Sequence, residues 1–193
     1  MSTQKISDII SESIKVKQQL LGNSALIDQI NTVVNVITKA FQSGNSVYFA
    51  GNGGSAADAQ HLAAEFSGRF YKDRKALPSE ALHCNTSYIT AVANDYSYEV
   101  IYARLIEGIA KPGDVLVGIS TSGNSGNIVK AFEMAKTKQV ITVGFTGEAG
   151  GKMQPLSDYL INIPSKDTPR IQESHILVGH IICELVELQI FGQ

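Results

Sequence analysis

Two residues that could move protons or hold a metal lie in the segment that follows a glycine-rich turn. His61 and Glu65 are four residues apart, so on a helix their side chains lie on the same face. A carboxylate beside an imidazole can act as a general acid–base pair, and both groups are common ligands of divalent metals. The spacing therefore predicts acid–base chemistry or a metal site on this helix.

The turn before this helix has the composition of an anion-binding loop. Gly51-Asn52-Gly53-Gly54-Ser55 follows the apolar run Val47–Ala50, and its glycines allow a ligand to approach the main chain. Ser55 has the residue type of a helix N-cap, with Asp58 at capping-box spacing. Unpaired N–H groups and the helix dipole favour an anion at a helix start. We therefore predict that a phosphate binds here, close to the acid–base pair.

A second polar loop follows the apolar run Val115–Ile119 and precedes another helical pattern. Hydroxyl and backbone N–H donors can surround a phosphate without a full positive charge, but a polar loop with a serine cap fits the pattern equally well. A second loop after a strand favours the phosphate, since both loops should open at one sheet edge. Neither loop matches a nucleotide-binding motif. The hydroxyl residues are Ser120, Thr121, Ser122 and Ser125.

Three further groups of polar residues have open roles. Asn94-Asp95 could hold sugar hydroxyls or end a helix. Gln172 and His180 lie on one broad face of an apolar C-terminal helix, where a lone histidine is usually a core or interface residue. Together with His61 and Glu65 they would form a nitrogen and oxygen site suited to zinc, provided that the fold brings the two helices together.

Composition limits the class of protein. The chain has 193 residues and a net charge of −2, enough for one domain and without the basic surplus of a nucleic-acid surface. Cys84 and Cys183 lie in apolar runs without a CxxC spacing, which predicts buried reduced thiols. The N-terminus lacks a signal-peptide core, and polar residues interrupt the apolar stretch from Ile176 to Phe191. We therefore expect a cytoplasmic protein that neither spans a membrane nor binds nucleic acid.

The elements that must position these residues alternate between strand and helix from residue 46. Such alternation predicts a parallel sheet covered on both faces, with ligands outside the carboxyl ends of the strands. Predicted strands are Val47–Ala50, Ala81–Cys84, Val115–Ile119, Val140–Phe145 and Tyr159–Ile163, and predicted helices are 55–70, 88–110, 126–137, 150–155 and 170–190.

Two helices are predicted before the first strand, at residues 4–21 and 24–43. This apolar hairpin must pack on the sheet or against another copy of the chain, and the second possibility indicates an oligomer. We predict one domain over 1–193, with the N-terminal helices in 1–44 and the α/β core in 45–193.

The residues that carry this chemistry also match a known family. The chain resembles the phosphoheptose isomerases of the SIS (sugar isomerase) superfamily, over nearly its whole length. The matching segments are GNGGSAADAQHLAAEFSGRF at 51–70, AVANDYSYE at 91–99, GDVLVGISTSGNSGNIVKA at 113–131 and RIQESHILVGH at 170–180. The serine-rich loop alone is typical of the superfamily, whereas the His61/Glu65 helix combined with Gln172 and His180 is more specific.

The resemblance implies a three-layer sandwich with a five-stranded parallel sheet in flavodoxin-like order and an N-terminal hairpin used in oligomerisation. It implies a cytoplasmic homotetramer with active sites at subunit interfaces. The implied reaction converts D-sedoheptulose 7-phosphate to D-glycero-D-manno-heptose 7-phosphate through an enediol(ate). This is the first step toward the bacterial ADP- or GDP-heptose used in lipopolysaccharide and other surface glycans.

The resemblance also implies a role for each matched residue. Glu65 and His180 are the implied acid–base pair, and one Zn²⁺ per subunit has the implied ligands His61, Glu65, Gln172 and His180. The implied substrate contacts are Asn52, Gly53, Gly54, Ser55, His61, Glu65, Asn94, Asp95, Ser120, Thr121, Ser122, Ser125 and Gln172.

Other members of the superfamily provide the alternatives. A non-catalytic relative that binds the replication initiator DnaA lacks the counterparts of Glu65 and His180, both of which are present here. Sugar-phosphate-sensing regulators and arabinose 5-phosphate isomerases usually carry additional domains, for which this chain has no room.

Overall fold

A computed structural model describes residues 3–192 of the chain. Its five strands are all parallel and have the order β2-β1-β3-β4-β5, which is the flavodoxin-like order with a switch point between β1 and β3. This confirms the predicted sheet. The strands are β1 Val47–Gly51, β2 Ser79–Ala81, β3 Val115–Ile119, β4 Ile141–Gly147 and β5 Tyr159–Ile163.

Helices cover both faces of the sheet and complete the predicted three-layer sandwich. The helices are α1 Thr3–Leu21, α2 Ser24–Gln42, α3 Gly54–Ser67, α4 Thr86–Asp95, α5 Ile101–Ile109, α6 Gly126–Thr137 and α7 Thr168–Phe191, and 3₁₀ turns occupy Tyr98–Val100 and Gly151–Leu156. Along β3 the apolar side chains alternate: Val115 and Val117 pack with α2, α3 and α7, whereas Leu116 packs with α4, α5 and α6.

The second strand ends earlier than predicted. It stops at Ala81, and Cys84 lies in the turn that follows. The side chain of Asn85 accepts a hydrogen bond from the backbone N–H of Tyr88 and caps α4. This cap directs the chain away from the sheet, so Cys84 is exposed and the expectation that both thiols are buried is wrong for it. Cys183 is buried as expected.

The single helix predicted over 88–110 is two helices. The break follows Asp95, and Ser97 has an extended backbone with φ −169° and ψ 159°. The short polar side chains in this segment compete with the backbone for hydrogen bonds and are poor helix formers. Tyr98 begins a 3₁₀ turn, and its hydroxyl bonds to Asn52 at the carboxyl end of β1.

The two N-terminal helices differ in how deeply they are buried. α2 packs on α7 and β5, and Val33, Val34 and Ile37 are at most 1% exposed. α1 contacts α2 and α7 through Val16 and Leu20, but its other face presents apolar side chains to solvent. These exposed side chains are Ile6, Ile9, Ile10 and Ile14.

α7 is long and apolar enough by composition to span a membrane. It packs instead against α2 and α3, and residues such as Val178, Ile182 and Val186 are buried in the core. A core helix passes the same compositional test, so this finding is weak evidence for a membrane.

Candidate active site

A cluster of three side chains joins α3 to α7. The Nε2 atom of His61 lies 2.9 Å from Oε1 of Glu65 and 3.2 Å from Nε2 of His180. One potential ligand atom from each residue lies within 4.8 Å of the others. The i, i+4 spacing on α3 and the contact with α7 therefore bring the predicted carboxylate and both predicted imidazoles together.

The close approach of the two helices depends on a glycine beside His180. A Cβ atom on Gly179 would lie 2.5 Å from Cδ1 of Leu62, so a larger residue would push α7 away from α3. Gly179 is buried and Leu62 is 1% exposed. His61 precedes Leu62 and His180 follows Gly179, so this contact brings the two histidines together.

The cluster has the donor set of a divalent metal site. His61 Nε2 faces both a carboxylate oxygen and a second imidazole nitrogen, and a single proton on that atom can satisfy only one of them. A cation would satisfy all three electron-rich atoms at once. Two imidazole nitrogens and one carboxylate oxygen, with an open position, suit zinc, so the residues present fit the predicted metal.

Gln172 does not join this cluster within the described chain. Its amide lies beside Gly54, where an added Cβ would be 2.8 Å from Gln172 Nε2. Gln172 and His180 are separated by about 12 Å along the axis of α7, from the rise of an α-helix. Gln172 therefore lies near the glycine turn, and its role as a metal ligand stays a prediction.

The glycine turn differs from the predicted cap. Gly53 occupies the N-cap position with a φ of 56°, and α3 begins at Gly54. Ser55 lies within the first helical turn and is 4% exposed, and among the described residues this helix start has no side-chain capping bond. Gly53 adopts this positive φ with little strain because it has no Cβ. Since the helix starts before Ser55, the predicted capping by Ser55 is wrong.

Asp58 lies one turn before the cluster on α3. Burial raises the pKa of its carboxyl group, and the nearby imidazoles of His61 and His180 oppose this shift. The capping box assigned to Asp58 from its spacing does not form with Ser55, so its carboxyl group belongs to the surroundings of the two histidines.

The serine loop after β3 forms a compact group of hydroxyls. Ser120 Oγ lies 2.9 Å from Ser125 Oγ and 3.5 Å from Ser122 Oγ. Ser125 is the N-cap residue of α6, and its side chain makes no capping bond among the described residues. The hydroxyls and the start of α6 thus converge at the carboxyl end of β3, as an oxyanion site requires.

An amide network joins this loop to the glycine turn. Asn52 and Asn127 exchange two side-chain hydrogen bonds of 2.9 Å each. The Tyr98 hydroxyl also donates to Asn52 Oδ1 at 3.1 Å. Asn127 is 4% exposed, so a buried group sets the orientation of Asn52. Sequence reasoning missed Asn127 and Tyr98, although both lie inside the matched motifs.

Asn94 and Asp95 lie at the end of α4 and are exposed. The Asn94 amide donates to Asp95 Oδ1 at 3.0 Å. Their contact with a sugar stays a prediction, and the nearby Tyr98–Asn52 bond supports a position at the same sheet edge.

The two parts of the predicted site occupy separate grooves of the described chain. One groove runs along α3 past His61, Glu65 and Arg69. Another lies between the serine loop and Lys166, past Thr121 and Ser122. On α3 itself, about 10 Å of helix separates Gly54, at the glycine turn, from His61 in the cluster.

Comparison with known proteins places the chain among enzymes. The family model described as SIS domain matches residues 7–147. The chain is 54% identical to a phosphoheptose isomerase of Aneurinibacillus thermoaerophilus over 186 residues, which cover 96% of this chain and 94% of the relative. It is 52% identical to phosphoheptose isomerase 2 of Campylobacter jejuni, with 95% and 91% covered.

Two solved structures are similar over almost their full lengths. The phosphoheptose isomerase of Neisseria gonorrhoeae has a TM-score of 0.90 and 35% identity, covering 95% of this chain and 97% of that one. The phosphoheptose isomerase of Francisella tularensis has a TM-score of 0.91 and 31% identity, with 96% and 98% covered.

Proposed function

The chain belongs to the phosphoheptose isomerase family of SIS-domain proteins, and on that premise we propose that it converts D-sedoheptulose 7-phosphate to D-glycero-D-manno-heptose 7-phosphate. This is an intramolecular aldose–ketose isomerisation. The product would supply bacterial heptose precursors for lipopolysaccharide or other surface glycans.

The observation that carries this proposal is the convergence of Glu65 and His180 on His61. Isomerisation moves a proton between neighbouring carbons through an enediol(ate), which requires a base at carbon and a proton donor at oxygen. Glu65 takes the proton from C1 of the ketose, and His180 serves the two sugar oxygens. Each group contributes about 100- to 10,000-fold to the rate.

His61, Glu65 and His180 would hold one Zn²⁺ per subunit, with Gln172 as the predicted fourth ligand. If bound there, a zinc ion would polarise the sugar oxygens and stabilise the developing negative charge. Glu65 must then be free enough of the metal to accept a proton, since a tightly coordinated carboxylate is a weaker base.

The hydroxyls of Ser120, Thr121, Ser122 and Ser125 bind the phosphate, and the N-terminus of α6 adds backbone donors. Binding energy from a phosphate far from the reacting carbons orients those carbons for proton transfer. The glycine turn and the Asn94-Asp95 segment hold the hydroxyls of the sugar chain between the phosphate and the cluster.

A cytoplasmic homotetramer is the assembly that we propose. Two features support association of several copies: the exposed isoleucines of α1 and the separate grooves of the serine loop and the cluster within one chain. A neighbouring copy could bring its own phosphate loop to the cluster and shorten the span that the sugar must bridge.

The function and the metal are tested together with purified protein. We expect zinc-loaded protein to convert sedoheptulose 7-phosphate to the aldose, detected by NMR. Dialysis against a chelator should abolish this activity, and added zinc should restore it. Full activity in protein shown to be metal-free would exclude zinc from the mechanism, and no aldose with any metal would contradict the function.

The alternative, a non-catalytic protein that binds DnaA, has less support. A protein of that kind requires neither a carboxylate at position 65 nor an imidazole at position 180. In this chain the Glu65 carboxylate and the His180 imidazole are present within 4.8 Å of each other, which favours the enzyme.

A further inference from the structure

A buried carboxylate on α7 organises the segment that follows α3. Glu187 is 2% exposed and lies two helical turns beyond His180 on the same face of α7. It accepts hydrogen bonds from the backbone N–H groups of Phe70 at 3.2 Å, Tyr71 at 2.9 Å and Lys72 at 2.9 Å. Hydrogen bonds to these groups and to Arg74 outweigh burial and lower the pKa of Glu187, so it is ionised.

Arg74 pairs with the Glu187 carboxylate and caps the C-terminal end of α3, the helix that carries His61 and Glu65. Its Nε donates to Glu187 Oε2 at 2.8 Å, and the two side chains are 3% and 2% exposed. The remaining guanidinium nitrogens donate to the carbonyl of Glu65 at 2.7 Å and that of Phe66 at 2.8 Å. A helix leaves its last carbonyl groups without internal partners, so Arg74 satisfies the end of α3 with the planar fork that lysine lacks.

The segment held by Glu187 also touches His180. The Phe70 ring lies 5.8 Å from the His180 ring, between their centroids, and 4.5 Å from the Tyr71 ring. The hydrogen bonds that hold the backbone of residues 70–72 therefore also hold the Phe70 ring beside the His180 imidazole. The ion pair is thus linked to Glu65 by the hydrogen bond from Arg74 to the Glu65 carbonyl. It is linked to His180 by the Phe70 ring.

We propose that Arg74 and Glu187 are a positioning pair that sets the geometry of the His61–Glu65–His180 cluster. Among the described contacts, neither side chain touches the imidazole or carboxylate groups of the cluster, and Arg74 contacts Glu65 only at its backbone carbonyl. The pair ties the end of α3 to α7, so both ligand-bearing helices are held from one buried point. This inference rests on the proposed function for the meaning of the cluster, but its geometry can be measured without substrate.

A purely structural role is the competing explanation, because removing one partner of a buried ion pair leaves the other charge unpaired. Stability alone cannot separate the two roles. Replacing both partners with apolar residues removes both charges and often recovers stability, but it cannot restore the hydrogen bonds to the Glu65 carbonyl or to the Phe70 backbone.

The test compares Glu187→Gln with Glu133→Gln, the same chemical change at an exposed position on α6. The first readout is the visible absorption spectrum of cobalt(II)-loaded protein, which reports coordination geometry, together with the dissociation constant for zinc. We expect an altered spectrum and zinc binding about 10- to 100-fold weaker in Glu187→Gln, with both unchanged in Glu133→Gln.

With sedoheptulose 7-phosphate, kcat should fall about 10- to 100-fold in Glu187→Gln while KM stays within about twofold. The double variant Arg74→Leu/Glu187→Leu should recover the part of the stability that an unpaired buried charge costs, without recovering kcat or the wild-type spectrum. If Glu187→Gln does not fold, Arg74→Lys carries the same test, because it keeps the charge and loses the fork. A folded variant with wild-type spectrum, zinc affinity and kcat would overturn the inference.

These readouts also separate failure of the inference from failure of the proposed function. Wild-type protein that does not isomerise the sugar would contradict the function, whereas the spectrum and zinc affinity would still decide the role of the pair.

Discussion

At the scale of single residues, local spacing predicted only part of the site. The i, i+4 rule placed His61 and Glu65 on one face of α3. It could not place His180, whose contact with His61 depends on packing between helices far apart in sequence. Glu187 illustrates the same limit: in the sequence it only interrupted an apolar run, and its four hydrogen-bond donors come from another segment.

The partner of Asn52 leads to a prediction at this scale. Asn127→Ala should raise KM for the sugar phosphate about 5- to 10-fold, because the Asn52 amide loses two hydrogen bonds that orient it. kcat should change little, since neither amide contacts the proton-transfer groups. Steady-state kinetics measures both constants.

Tyr98→Phe serves as the comparison, because it removes only the third contact with Asn52 and should raise KM less. Equal KM values for wild type and Asn127→Ala would show that the amide network does not orient the substrate.

At the scale of elements, the residues predicted the sheet and most helices well and the segment between Ala81 and Ala110 poorly. β3 and β5 match their predicted bounds because apolar runs flanked by turn residues mark buried parallel strands. The strand at Ala81–Cys84 and the helix at 88–110 were wrong, since the cap at Asn85 and the break at Ser97 depend on polar side chains that competed with the apolar pattern.

The contact between α3 and α7 makes a prediction about an element. Gly179→Ala should reduce zinc affinity and activity at least about 10-fold, because the added methyl group meets Leu62 and moves His180 away from His61. It should also lower the free energy of unfolding by about 1 to 3 kcal/mol. Zinc titration and urea unfolding measure the two effects.

Gly108→Ala on α5 is the matched control. Its added methyl group meets no atom within 4 Å, and alanine is about 1 kcal/mol better than glycine in a helix interior. Zinc affinity should stay at the wild-type value in this variant. If Gly179→Ala behaved like Gly108→Ala, the close approach of the helices would not control the cluster.

At the scale of the whole molecule, a buried histidine should make stability depend on pH. His175 is fully buried, Nε2 lies 3.1 Å from the carbonyl oxygen of Thr146, and burial lowers its pKa from 6.5 to about 4. Below pH 6.5 His175 binds a proton in the unfolded chain, whereas in the folded chain it stays neutral down to about pH 4. The free energy of unfolding therefore falls as the pH drops from 6.5 to 4.

The expected loss from His175 is about 2 kcal/mol between pH 7 and pH 5, from 1.36 kcal/mol per pKa unit. Urea unfolding at the two pH values measures it. His175→Gln, which keeps a donor for the Thr146 carbonyl but does not titrate, should lose less stability over this interval. An equal loss in the variant would assign the pH dependence to other groups.

The apolar face of α1 tests the proposed assembly. Ile10 is 55% exposed in the single chain, and Ile10→Glu should dissociate the oligomer by placing a charge in an apolar interface. We expect light scattering to show a smaller species and activity to fall. Exposed Lys5→Glu on the same helix is the control, and an unchanged mass for Ile10→Glu would exclude this face as an interface.

The most direct measurement follows the C1 proton of sedoheptulose 7-phosphate in D₂O by NMR. Wild-type protein loaded with zinc should form the aldose and exchange this proton with solvent, whereas Glu65→Gln should bind the sugar phosphate with neither exchange nor product. Aldose formation by Glu65→Gln at the wild-type rate would contradict the assignment of Glu65 as the base at the centre of the cluster.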